Sequence, residues 1–359
     1  MNTSDVQFNI IYTPDTAALL SPFVGSLLQW SDCSYRLISN GCPEAERNIL
    51  KNLAARHDRL DYLCFSESGM IEHATVLNAL QTEEQGEWFC ALDSDIYASG
   101  PWLDTVAELS SDSAGIFTGL PTWCISDDTI LPAKFERLQG THVALSNGTS
   151  IGSTYFMVYN NAMVNRVRKE TGVGFERYRW SDLPDEHKPV AEKYGARMFD
   201  YDTAIIMNLL ITERGGKITY TDLPGITHLG GLAEDRSHRS KHYFRGRLDK
   251  LSYKLRSTGL DVPLMWYADL YYGALHSPQK LYWREYQSLS SRARRRFVAS
   301  SYYFDVLNAL VQNKPYREVP HIGNRAVESR LKHTANELGK IFAEHNDFVV
   351  DPSMPNGSQ

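Results

Sequence analysis

Four short apolar runs, each followed by a helical pattern or a turn, fill the first third of the chain and leave few folds open. Residues 8–12, 35–39, 60–65 and 88–92 have the length and residue types of buried strands. After Thr13-Pro14-Asp15 the apolar positions Leu19, Leu20, Phe23, Leu27, Leu28 and Trp30 recur at helical spacing. Pro43 and Glu44 open a second helical stretch carrying Ile49, Leu50 and Leu53, and a third spans roughly residues 71–81 after Ser66-Glu67-Ser68-Gly69. Strands that alternate with helices pair in parallel through right-handed crossovers. In open sheets built this way, ligands bind beyond the carboxyl ends of the strands. Thr13, Asn40, Ser66 and Asp93 stand at those four ends.

The fourth run ends in Asp93-Ser94-Asp95 and is closed by Gly100-Pro101, a pair that terminates regular structure. Side chains alternate along a strand, so acids at i and i+2 point to one side. Two carboxylates held together repel each other unless a hard divalent cation takes an oxygen from each, at about 2.1 Å for magnesium. Such an ion keeps positions open for substrate phosphates. The competing reading is a turn with two solvated acids. The buried strand in front and the repeated units upstream weigh against it.

Composition narrows the class further. A chain of 359 residues, 42% hydrophobic, buries a large core and is long for one simple domain. The net charge of −6 speaks against a general nucleic-acid binder. Cys33, Cys42, Cys64, Cys90 and Cys124 are odd in number and form no C-x-x-C pair, so reduced thiols in a cytoplasmic setting are expected. The first residues lack a charged segment followed by an apolar one. No run reaches the roughly 18 apolar residues of a membrane span, while contact with a membrane surface stays open.

The middle of the chain is less regular. Residues 115–119 and 153–159 read as strands, and between them lies a polar, turn-rich excursion containing Trp123, Asp127 and Asp128. Residues 161–170 read as a helix, followed by a polar, aromatic loop over 178–189 of the kind that covers sites. Asp202 is placed as the N-cap of a helix starting near Thr203 and ending at Gly215-Gly216, with residues 217–220 returning as a strand. His228 lies in Gly225-Ile226-Thr227-His228-Leu229-Gly230-Gly231. Residues 234–256 then carry eight Lys/Arg against three acids. Beyond residue 260 the chain looks helical and aromatic, with a compact basic cluster at 291–296 that reads as a solvated turn or a contact for anionic lipid or a phosphorylated acceptor.

Residues 7–230 resemble the GT-A nucleotide-sugar glycosyltransferases, most closely the broad family-two type. The resemblance rests on Thr13-Pro14 after the first strand, Asn40-Gly41 after the second, the Gly69…Asn78 segment that opens the third helix, and the apolar run into Asp93-Ser94-Asp95. It implies an α/β fold with a mostly parallel, Rossmann-like sheet flanked by helices and a C-terminal helical extension. The implied catalytic domain covers residues 1–230, with a nucleotide-sugar half at about 7–100 and an acceptor half at about 101–230. A basic loop and helical region at 231–347 and a flexible tail at 348–359 complete it.

The resemblance also implies chemistry. Asp93 and Asp95, with His228 as a third ligand, would hold Mn2+ or Mg2+ against the diphosphate of a nucleotide-sugar, most readily a UDP-sugar. Thr13, Pro14, Asn40, Ser66, Asn78 and Ser94 would line the donor site. Family members often carry an acid where Asn40 stands. Arg236 and Lys241, with Arg239 and Arg245, would close on the diphosphate. Asp202 and Asp200 compete as the base toward an acceptor hydroxyl on a glycan, a lipid-linked carrier or a small molecule, with inversion at the sugar. Phe199 stands where the family's Asp-Tyr-Asp pattern usually has Glu before it. Two other classes stay in view. One is a sugar-phosphate nucleotidyltransferase, which normally has a Gly-rich loop where Thr13–Ala18 has no glycine; the other is a non-catalytic binding module.

Overall fold

The computed structural model describes residues 1–129, 137–138, 143–144, 150–198, 200–232 and 291–350. Arg236, Arg239, Lys241 and Arg245, Phe199, and the tail after Val350 lie outside the described residues. The alternation expected from the sequence is present: β1 (Gln7–Tyr12), α1 (Ala17–Gln29), β2 (Ser34–Asn40), α2 (Glu44–Arg56), β3 (Leu60–Ser66), α3 (His73–Glu83) and β4 (Trp88–Asp93). There follow β5 (Ile96–Ala98), α4 (Leu103–Ser110), β6 (Gly115–Thr118), three two-residue strands β7 (Arg137–Leu138), β8 (Val143–Ala144) and β9 (Ser150–Ile151), then β10 (Phe156–Asn160) and α5 (Asn161–Thr171). β11 (Tyr178–Arg179), α6 (Lys188–Lys193), β12 (Asp200–Tyr201), α7 (Ile205–Glu213), β13 (Ile218–Tyr220) and β14 (Ile226–His228) lead to two long helices, α8 (Ser291–Val311) and α9 (Arg325–Glu344).

Seven strands form the main sheet in the order β13-β6-β10-β4-β1-β2-β3. β1 runs parallel to both β2 and β4, and β2 to β3. β10 is the exception, antiparallel to β4 and to β6. Alternation along the strands divides the core in two. Phe8, Ile10, Tyr12, Cys90 and Leu92 face one side, packed by α1, α2, α4, α8 and α9. Ile11, Ile38, Phe89 and Ala91 face the other, packed by α3, α5, α6 and α7. The result is a mostly parallel sheet covered on both faces, with a C-terminal helical region.

The five cysteines are free thiols, four of them buried. Among the described residues, no helix is long and apolar enough to cross a membrane. Phe348, placed by the sequence in a flexible tail, is instead buried: its ring stacks on His57 at 4.5 Å, and its carbonyl accepts a hydrogen bond from Ser21 Oγ at 2.8 Å. An apolar ring with a face to fill holds this stretch down.

Candidate metal centre

β4 delivers Asp93 as its last residue, and the chain turns through Ser94 and Asp95 into β5. β14 returns antiparallel to β5 with His228 opposite Ile96, and the Leu229 N–H donates to the Asp95 carbonyl at 3.1 Å. This pairing brings the histidine beside the acid pair. His228 Nε2 lies 3.1 Å from Asp95 Oδ1 and 3.8 Å from Asp93 Oδ2. One ligand atom from each of Asp93, Asp95 and His228 falls within 4.8 Å of the others. Asp95 and His228 are buried, whereas a third of the Asp93 side chain is exposed. The cluster therefore opens toward solvent on the Asp93 side.

The ring of His228 is oriented by its other nitrogen, which sits 2.6 Å from the Gly119 carbonyl. A carbonyl only accepts, so Nδ1 carries the proton and a neutral ring presents a bare lone pair at Nε2. Among the described residues, Nε2 has no hydrogen-bond partner despite its closeness to Asp95. At 3.1 Å, Nε2 and Asp95 Oδ1 form a close ion pair whenever the ring is protonated. A buried nitrogen lone pair aimed between two carboxylates, its second nitrogen held by a carbonyl, is the donor set a divalent cation uses.

Electrostatics point the same way. Burial, then the neighbouring charge of Asp95, pushes the Asp93 carboxyl up to about 7, with His228 opposing. Burial also works against a charged Asp95, but His228 and the Leu232 N–H outweigh it and hold this carboxyl below its usual range. For His228 burial favours the neutral ring, while Asp95, Asp93 and the Gly119 carbonyl reverse the balance and raise it. Without a cation, the cluster keeps a proton to offset crowded negative charge. A divalent ion removes that need.

The other expected site residues are arranged around this cluster in different ways. Thr13 and Pro14 form a tight turn in which Thr16 Oγ1 donates to the Thr13 carbonyl at 2.6 Å and accepts from the Thr13 N–H at 3.2 Å. The Thr13 hydroxyl is buried, with no partner among the described residues. The Asn40 amide grips the backbone of Ile71 through two hydrogen bonds of 2.8 Å, and Ser66 Oγ donates to the Gly69 carbonyl. Ser94 is buried in the turn between the acids. Asn78 does not stand where α3 opens: it lies inside the helix, donating to Glu176 at 2.6 Å and accepting from the Phe175 N–H at 2.9 Å. The two ends of its amide tie down the loop after α5.

Asp202 is not an N-cap. α7 begins at Ile205 behind Ala204, whose φ of 66° breaks the helix path, and Asp202 Oδ1 accepts from the adjacent Thr203 N–H at 3.0 Å. The charge of this carboxylate acts on Asp93 and on Tyr155. Asp200 is buried in β12. Arg177 reaches both acids, at 3.5 Å from Asp202 and 3.6 Å from Asp200.

Two contributors, Tyr155 and Arg177, carried no mark in the sequence. Tyr155 sets its ring against His228, 4.6 Å between centroids and tilted by 51°, and its carbonyl accepts the Asp93 N–H at 2.6 Å. Arg177 is the second. The basic cluster at 291–296 was marked in the sequence but not its setting: it is not a turn but the first turns of α8. There Arg295 is buried and paired with Asp128, and the Arg292 and Arg296 guanidinium groups each lie 5.9 Å from the Trp123 ring. Local periodicity does not reveal such residues, because their partners lie well beyond one element, 167 positions away for Arg295 and Asp128.

No family model matches the chain, and no curated protein is similar to it in sequence. Solved structures similar to it include a mannosyltransferase from Pyrobaculum calidifontis in complex with GDP-Man and Mn2+ (10% identity, 95% of this chain and 84% of that one, TM-score 0.40). The galactosyltransferase LgtC with donor and acceptor sugar analogues (11%, 78% and 100%, TM-score 0.36) is another, and so is a putative glucose-1-phosphate thymidylyltransferase from Bacillus anthracis (12%, 65% and 93%, TM-score 0.36). Likeness at this level concerns fold alone, and the chemistry of the site stands on its own residues. What the chain itself shows is a mostly parallel sheet covered by helices on both faces, with an acid pair delivered at the carboxyl end of β4.

Proposed function

We propose that this chain is a metal-dependent glycosyltransferase that moves a sugar from a nucleotide-diphosphate sugar, a UDP-sugar in the first instance, to an acceptor hydroxyl with inversion. The observation that carries the reading is the gathering of Asp93, Asp95 and the buried Nε2 of His228, 3.1 Å from Asp95 and 3.8 Å from Asp93, at the end of a central parallel strand. Asp93, Asp95 and His228 would hold Mn2+ or Mg2+. When bound, the cation offsets the charge of the donor diphosphate and of the nucleotide that leaves.

The chain's own residues supply the rest. Asp93, the exposed member, faces the donor, while Asp95 and His228 back it from inside the protein. The Thr13 hydroxyl lies at the end of β1 with its bonding capacity unspent. Asn40 acts indirectly by fixing Ile71, and Arg236 and Lys241 are proposed for the diphosphate. Asp202 takes the acceptor proton as general base; its charge is felt at Asp93, and Arg177 lies 3.5 Å from it. The glycine-free turn at Thr13–Asp15, closed on itself by Thr16, offers no loop of free N–H groups for a nucleotidyltransferase to cradle a triphosphate.

The test is release of nucleotide from a panel of nucleotide-sugars with Mn2+, followed by transfer to acceptors, in Asp202→Asn and Asp200→Asn. A general base is worth about 10²- to 10⁴-fold in rate. Asp202→Asn should lose turnover on that scale and keep donor affinity. If Asp200→Asn alone does so, the base is the buried acid. Full transfer by both variants would remove the inverting mechanism.

A further inference from the structure

The segment from Gly119 to Cys124 is a strap between the metal centre and the C-terminal helices. On one side it holds β14: Gly119 O meets His228 Nδ1, Pro121 bridges to His228, the Thr122 N–H donates to the His228 carbonyl at 3.0 Å, and Trp123 Nε1 donates to the Gly230 carbonyl at 3.1 Å. On the other side the same few residues are gripped by α8 and α9. Arg295 Nε donates to the Trp123 carbonyl at 3.2 Å, while its Nη2 meets both oxygens of Asp128, at 2.9 and 2.8 Å. Tyr303 shares a 2.7 Å hydrogen bond with Thr122 Oγ1, and Arg330 donates to the carbonyls of Thr122 and Cys124.

Arg295 is the buried member of this grip, with its residue 6% exposed and the Asp128 side chain equally covered. A buried ion pair is a weak source of net stability but a strict geometric constraint, because either charge left alone is costly. Here the constraint falls on the strap that orients the ligand histidine. Residues that orient a metal-bound histidine typically change metal affinity by about 10- to 100-fold when removed.

We propose that Arg295 is a positioning residue for the metal centre: by fixing Trp123 and Asp128 it holds the Gly119 carbonyl where it keeps Nε2 of His228 turned toward Asp93 and Asp95. The C-terminal helical region is thereby part of the site. The inference rests on the metal reading of the acid pair and goes beyond it, because it assigns a role to a side chain that touches neither metal nor substrate.

The test compares wild type, His228→Ala, Arg295→Lys and the double variant Arg295→Met/Asp128→Leu. The double variant removes both buried charges and keeps apolar volume, whereas Arg295→Met alone leaves Asp128 to Arg292 at 3.7 Å and to the Ile125 N–H at 2.9 Å. Mn2+ binding by electron paramagnetic resonance on folded protein should be weakened about tenfold in the double variant, less in Arg295→Lys and most in His228→Ala. Wild-type Mn2+ affinity in a double variant with unchanged melting temperature overturns the proposal, since it leaves Arg295 with packing alone. A second readout needs no metal. Nitrogen-15 NMR of His228 in metal-free protein should show an Nδ1 proton protected from exchange in wild type and exposed in the double variant; equal protection again overturns the proposal. Failure of wild type to bind Mn2+ in the presence of UDP or GDP removes the metal reading, and the imidazole proton then decides the strap by itself.

Discussion

Asp93 is the residue at which charge, burial and access meet. Its carboxyl is pushed up to about 7 in the metal-free protein by burial and by Asp95, above its unfolded value of about 4. Between those two values the folded state binds more protons than the unfolded one, so this group lowers stability as pH rises through that window. His228 is also raised. Its contribution is complete below about 6.5 and is lost as pH climbs through its folded value, which adds to the same trend. A bound cation replaces the proton and cancels the penalty. The gain in melting temperature from saturating Mn2+ should therefore be larger near pH 8 than near pH 5, where protons compete for Asp93. Thermal unfolding across that range, with and without Mn2+, measures it, and a gain independent of pH would contradict the assignment of Asp93 as a ligand.

At the scale of elements, the turn at Gly230 gives a second prediction. Its φ is 78°, and a Cβ built there would stand 2.5 Å from Pro121 and 2.9 Å from the Trp123 indole nitrogen that donates to its carbonyl. Gly230→Ala combines a left-handed backbone with a clash against the strap. It should cost about 1–3 kcal/mol in denaturant unfolding, and a variant as stable as wild type would show that the strap yields freely. Elements differ in how far the sequence reveals them. The alternation of β1 to β4 with α1 to α3 was legible because period and length are local properties, and the acid pair was legible because it follows the buried strand directly. Gly230-Gly231 and His228 could be marked, but their meeting with Asp95 depends on β14 pairing with β5 across 132 positions from Ile96 to His228. The direction of β10 could not be read at all, since an apolar run looks the same in either sense. Asp202 reads as a cap because acids favour helix starts; the positive φ of Ala204 that moves the start to Ile205 leaves no mark in the sequence.

Across the whole molecule, the two C-terminal helices belong to the main core. Val327, Leu331, Leu338 and Phe342 of α9 and Tyr303 and Leu307 of α8 join the same apolar cluster as Phe8 and Phe23, and Tyr97 in β5 donates to Glu337 at 2.6 Å. A chain ending after residue 290 would bare that face of α1. It should lose cooperative unfolding, which calorimetry of the truncated protein checks; a sharp transition near the wild-type temperature would show that the helices are dispensable. The central claim is that this fold gathers Asp93, Asp95 and His228 to hold a divalent cation against a nucleotide diphosphate. Titration calorimetry of UDP with Mn2+ against wild type, Asp93→Asn and Asp95→Asn tests it most directly. Wild type should bind UDP only when Mn2+ is present, and both folded variants should lose that binding. Unchanged affinity in both variants would contradict the claim.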